Sequence, residues 1–184
     1  MNGQGLALYR FHPMVLFYWT VAFAVWEWLF VAVSLKMFPD VGTFQEYYRK
    51  LPSWVPISGD YLYSTLIFLS AQWVFAWMTP FVASVPTLAA VPSLVLFAFL
   101  FIALQWVYDL LWATLVLALP AETSRYIHFF QRYIRQVGFS AAIGDSLYLL
   151  AWLAVAWLLL TYVPISVALY LLIAALFFWL VFRY

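Results

Sequence analysis

Three carboxylates sit where the lipid bilayer makes carboxylates expensive. Glu27, Asp109 and Asp145 each fall within a long run of apolar residues, and no Lys or Arg lies inside any of those runs. An ionisable group at the centre of a membrane helix costs around 2.5–3.5 kcal/mol on insertion scales, so each acid needs a compensating role. The acids must be protonated, reached by water, hydrogen-bonded to one another, or paired with a bound cation. Their polar companions recur at helical spacing. Gln105 precedes Asp109 by four residues, Thr65, Gln72 and Thr79 are spaced by seven, and so are Thr20, Glu27 and Ser34. Gly138, Ala142 and Asp145 share a face of small residues that permits close helix approach. These patterns predict a proton- or monovalent-cation-binding cluster built on Asp109 and Asp145, with Glu27, Gln72 and Gln105 assisting. Alternating protonation of neighbouring acids would make it a channel or transporter. Two other readings stay open. The acids can be neutral glue between helices in a structural or accessory membrane subunit, or Asp109 and Asp145 can be the two acids of a hydrolase.

Other chemistries are excluded by residue type. With no Cys, the chain has no disulfide, no thiol nucleophile and no Cys-bound metal. His12 and His128 are the only histidines, and both lie at or beyond the ends of the apolar runs, so neither haem nor zinc ligation is expected. No helix offers a Lys for a retinal Schiff base. No cofactor is therefore expected. Eight Lys+Arg against seven Asp+Glu leave no basic field for nucleic acid.

The elements that must position these residues are membrane helices. The 184-residue chain is 68% hydrophobic and 8% charged, whereas soluble domains carry about 25% charged residues. Five spans are expected, over about 13–35, 61–78, 93–119, 141–161 and 164–182, making residues 1–184 a single transmembrane domain. Each would be roughly 27–40 Å long at 1.5 Å per residue, enough for a hydrocarbon core of about 30 Å. Pro80 and Pro120 are expected to stop the second and third spans. Ala22-Phe23-Ala24 has the form of a signal cleavage site, but the apolar run continues to Leu35, so the first span is expected to be retained. Eleven Trp, 13 Tyr and 18 Phe are too many for interfacial belts alone, so the rest must face lipid or fill helix contacts.

Basic residues give the orientation. Five spans place Arg10 alone on one side and Lys36, Arg49, Lys50, Arg125, Arg132, Arg135 and Arg183 on the other. The positive-inside rule then predicts an N-out, C-in all-α bundle integral to a membrane. In the 36–60 loop, a short helix is expected around Phe44–Lys50. Residues 122–137 read as a cytoplasmic amphipathic helix on the membrane surface. Tyr126, Ile127, Phe130, Tyr133, Ile134 and Val137 form its apolar face; Arg125, His128, Gln131, Arg132 and Arg135 form its polar face. The two-residue turn at 162–163 predicts an antiparallel hairpin of the last two spans. A five-helix protomer is small for a private pore, so a channel would need several copies, and a homo-oligomer is expected in that case.

Two family resemblances bear on the acids. Tyr108-Asp109 on one span and Gly144-Asp145 on the next resemble the YD and GxGD pairing of intramembrane aspartyl proteases, which implies that Asp109 and Asp145 would share a proton and activate water. Ala142 replaces the first glycine of that motif, and the family's Pro-Ala-Leu segment is absent. Residues 105–150 also resemble an uncharacterised multi-pass membrane protein family of large DNA viruses of algae and protists. The resemblance rests on Gln105, Asp109, Arg132-Tyr133, Val137-Gly138, Ala142 and Gly144-Asp145-Ser146. It implies a small viral membrane protein and assigns no activity. Gly144-Asp145-Ser146-Leu147 also spells a soluble hydrolase tetrapeptide, but without the α/β context that family requires.

Overall fold

The structure is a computed structural model that describes residues 6–37, 46–47 and 54–181. Arg49, Lys50, Arg183 and, apart from Glu46 and Tyr47, the helix expected around Phe44–Lys50 lie outside the described residues. Among those residues the chain is all-helical: α1 (Pro13–Met37), α2 (Trp54–Ser84), α3 (Pro86–Ala89), α4 (Ser93–Ala118), α5 (Arg125–Val137), α6 (Phe139–Tyr162) and α7 (Ile165–Val181). Four helices contain stretches long and apolar enough to cross a membrane: Pro13–Phe30, Ser58–Ser84, Ser93–Ala118 and Phe139–Tyr162. The chain is thus a helical protein of the integral membrane type. The 17 residues of α7 make a shorter apolar helix, roughly 26 Å long.

Local sequence explains the helix ends. Pro13 opens α1, where its missing N–H costs nothing, and the His12 Nδ1 accepts a hydrogen bond from the Met14 N–H at 3.1 Å. Pro80 does not stop the second span. It lies inside α2, which runs on to Ser84. Membrane helices tolerate such a proline because neighbouring groups take up the freed carbonyls. Pro120 does end α4, after Ala118. The amphipathic helix starts at Arg125 rather than 122, after a 3-10 turn at Ala121–Thr123. Ser124 sets that start: its Oγ accepts a hydrogen bond from the Ile127 N–H at 3.1 Å. Gly138, with φ 54°, breaks the chain between α5 and α6 in a conformation that favours glycine.

The bundle is organised around α1, which packs against both α6 and α7; α2 packs on α4, and α4 on α6. Trp19 of α1 is the central stone. Its ring is stacked between Phe68 of α2 and Trp152 of α6, each at 4.0 Å between centroids. Phe97 and Phe101 of α4 meet Phe68 edge-on. The indole N–H groups of the two stacked tryptophans are satisfied: Trp19 donates to Thr65 Oγ1 at 3.1 Å and Trp152 to the Trp19 carbonyl at 3.0 Å. The outside is as apolar as the inside. Trp73 and Trp77 of α2, Phe99 and Leu110 of α4, Leu147 of α6 and Tyr170 of α7 are all exposed, a surface suited to acyl chains rather than water.

The hairpin expectation needs correction. The turn between α6 and α7 is short, but α7 docks on α1 rather than on the helix before it. The reason is shape: Ala168 and Ala175, seven residues apart, are the buried positions of α7, and small side chains on one stripe let two helices approach closely. Trp28 of α1 covers Phe178 at 5.0 Å.

The two ends of the bundle differ in chemistry. At one end, Gln72 Nε2 donates to the carbonyls of Leu8 (2.6 Å) and Arg10 (3.1 Å), and the Tyr18 hydroxyl donates to the Val163 carbonyl at 2.6 Å. The N-terminal segment and the α6–α7 turn therefore share that end. At the other end, α5 lies across α4 and touches α6. There Arg132 pairs with Glu46 at 2.5 Å, and Tyr47 stacks on Phe129.

Candidate functional site

Four carboxylates, one from each long apolar helix, gather at the α5 end of the bundle: Glu27 of α1, Asp60 of α2, Asp109 of α4 and Asp145 of α6. Helix direction places them together. Glu27 and Asp109 come late in their helices, while Asp60 and Asp145 come early, so opposite chain directions bring all four to one level.

Asp109 is the best-connected acid. Its Oδ1 accepts a hydrogen bond from the Tyr63 hydroxyl of α2 at 2.6 Å, and its Oδ2 accepts from Gln105 Nε2 one turn earlier. Gln105 is fully buried. Its Oε1 accepts from the Ser146 hydroxyl of α6 at 2.6 Å, and Ser146 Oγ in turn accepts from the Trp106 indole at 2.8 Å. A continuous chain of polar contacts, Tyr63–Asp109–Gln105–Ser146–Trp106, thus joins α2, α4 and α6 inside an otherwise apolar bundle. The i, i+4 spacing of Gln105 and Asp109 brings them into direct contact, as the sequence implies.

Glu27 belongs to a neighbouring arm. It is 0% exposed and accepts a hydrogen bond from the Tyr148 hydroxyl of α6. Tyr148 also lies within electrostatic reach of Asp60 and Tyr47, so the arms are parts of one charged region. Asp60 accepts from the Tyr47 hydroxyl at 2.7 Å. Asp145 sits on the exposed side of α6 and makes no hydrogen bond among the described residues, although Asp109 and Asp60 are close enough to act on it electrostatically. No hydrogen bond joins Asp109 to Asp145. The sharing of one proton between those two acids, which the protease resemblance implies, is therefore not the arrangement seen here.

Gln72 is not part of this cluster. It ties down the N-terminal segment at the opposite end. Gln131 also leaves its expected place on the solvated face of α5. It is buried, and its Nε2 donates to the carbonyls of Val116 (3.0 Å) and Leu119 (2.7 Å), satisfying the open C-terminal end of α4. Arg125, Arg132 and Arg135 are exposed on α5.

The phenols outside the spans feel the acids. Burial, followed by the charge of Asp60, pushes Tyr126 up to about 12. Burial, followed by Asp145, Asp60 and Asp109, pushes Tyr133 up to about 12. Burial and the Asp60 carboxylate hold Tyr47 well above the ordinary phenol range. Asp60, Tyr63 and Tyr148 escape a sequence reading, and Ser146 enters it only through a resemblance, because only the packing turns their spacings from the obvious acids into contacts. The one usable signal is Asp60-x-x-Tyr63, which puts an acid and a phenol on one helical face.

No three acids or histidines converge closely enough to hold a metal ion among the described residues. Comparison with protein-family models, curated proteins and solved structures gives no match.

Proposed function

We propose that this is a multi-pass membrane protein that takes up and transfers protons at the carboxylate–tyrosine cluster, as a channel or transporter. The observation that carries this reading is the Tyr63–Asp109–Gln105–Ser146 network, which links three helices through a continuous run of hydrogen bonds centred on an ionisable carboxylate. Asp145 and Asp60 lie within electrostatic reach, so a proton taken by one changes the demand of the next. In the same proposal α7 is a fifth span, the α5 end faces the cytoplasm, and the C-terminus is inside. Its support is that Arg10 lies at one end of the bundle and Arg125, Arg132 and Arg135 at the other.

The test is proton flux in proteoliposomes under a pH gradient. Wild-type protein should conduct, and the Asp109→Asn, Asp145→Asn double variant, reconstituted to the same level, should fall to the rate of empty vesicles. Equal flux for the two proteins removes the proposal.

A structural or accessory subunit is the second reading. It is favoured by Glu27–Tyr148, Gln72–Leu8 and Gln131–Val116, where buried polar groups join separate segments. It predicts that Asn at positions 109 and 145 leaves folding intact and that no variant shows pH-dependent flux.

A further inference from the structure

A pocket of about 290 Å³ opens on the polar side of α5, and none of the carboxylate–tyrosine cluster's residues line it. Three separate stretches of chain build it. Arg125, His128 and Arg132 come from one face of α5, Ala121, Glu122 and Ser124 from the 3-10 turn and the residue that caps the helix, and Glu46 from the connection before α2. Its charges are mixed. Arg132 already pairs with Glu46, whereas Arg125 and Glu122 are exposed and carry no hydrogen bond or ion pair among the described residues.

That combination selects a ligand class. A simple anion is attracted by the two guanidinium groups but repelled by the two carboxylates; a simple cation meets the reverse. A small molecule with a phosphate and an ammonium a few bonds apart satisfies both. The volume lies at the bottom of the roughly 300–1,000 Å³ range of small-molecule pockets, so it suits a headgroup rather than a nucleotide. Position supplies the source. The pocket lies on an amphipathic helix that packs on the membrane-type bundle, and the membrane reading above puts that helix at the headgroup level.

We propose that this pocket binds the phosphoethanolamine headgroup of a membrane phospholipid, with Arg125 and Arg132 on the phosphate and Glu122 and Glu46 on the ammonium. The inference rests on the membrane reading above but not on proton transfer. An ammonium with N–H groups can donate hydrogen bonds to carboxylates, whereas a quaternary choline cannot.

The experiment is calorimetric titration of the full chain in detergent with dihexanoyl phosphatidylethanolamine, phosphatidylcholine and phosphatidylglycerol, and with free O-phosphoethanolamine and inorganic phosphate. The ethanolamine lipid should bind about tenfold more tightly than the other two lipids and the free compounds. Arg125→Gln and Glu122→Gln should each weaken it by about tenfold, while Arg135→Gln, outside the pocket, should not. Equal or tighter binding of the glycerol lipid, or no effect of Glu122→Gln, overturns the zwitterionic site. Equal binding of free phosphoethanolamine overturns the lipid source. A chain that stays soluble without detergent fails the membrane reading itself, an outcome distinct from a detergent-requiring chain with no headgroup preference.

Discussion

A phenol held among carboxylates reports them. Tyr126 and Tyr133, both pushed up to about 12, should titrate near that value in an ultraviolet absorbance titration of the folded protein, against about 10 for free phenols. The folded state then keeps protons that the unfolded state has lost, so the stability these phenols contribute is complete below about pH 10 and disappears as pH rises through about 12. Denaturation monitored between those pH values should show the fall, and Tyr133→Phe should lessen it. Tyr63 and Asp109 share a direct hydrogen bond, so a double-mutant cycle of Tyr63→Phe and Asp109→Asn should give a coupling of about 0.5–3 kcal/mol; additive effects would mean that the bond does not contribute. Gln131→Ala leaves the Leu119 carbonyl without its donor and the Val116 carbonyl with only the Leu119 N–H, and should cost about 1–3 kcal/mol in unfolding measurements. Glutamine at an amphipathic position reads as solvated in a sequence; only the fold places the α4 carbonyls beneath it.

At the level of helices, the dependence of α7 on two alanines makes a sharp contrast. Ala168→Leu forces a larger side chain into the α1 contact and should destabilise by about 1–3 kcal/mol. Ile173→Ala, on the exposed side of the same helix, should change detergent stability little; equal effects of the two would contradict the docking on α1. The spans starting at Pro13 and Ser93 are legible in the sequence because proline and an unbroken apolar run mark them. Pro80 misleads because a proline ends a helix in water far more readily than in a membrane bundle.

For the molecule as a whole, the distribution of basic residues becomes an experiment. The chain has no Cys, so single cysteines can be introduced one at a time without a background. Ser124→Cys at the α5 end and Thr87→Cys at the other end should label from opposite sides of a sealed vesicle with an impermeant maleimide. Labelling of both from one side would refute the proposed threading. The contacts of Glu46 and Tyr47 with α5 already place those two residues and the amphipathic helix at a common end of the bundle.

Apolar run lengths, proline positions and the scarcity of charge determined by themselves that this is a helical protein of the membrane type, because lipid forces every backbone polar group to be satisfied within its own segment. They also singled out Glu27, Asp109 and Asp145, because acids in such runs are costly. Which acid meets which partner was decided only by tertiary structure. A helix apolar on all sides carries no mark of the face it will bury, so the pairing of Asp109 with Tyr63, of Glu27 with Tyr148, the entry of Asp60 and the outward position of Asp145 follow from how the helices rotate against Trp19 and its stacked neighbours.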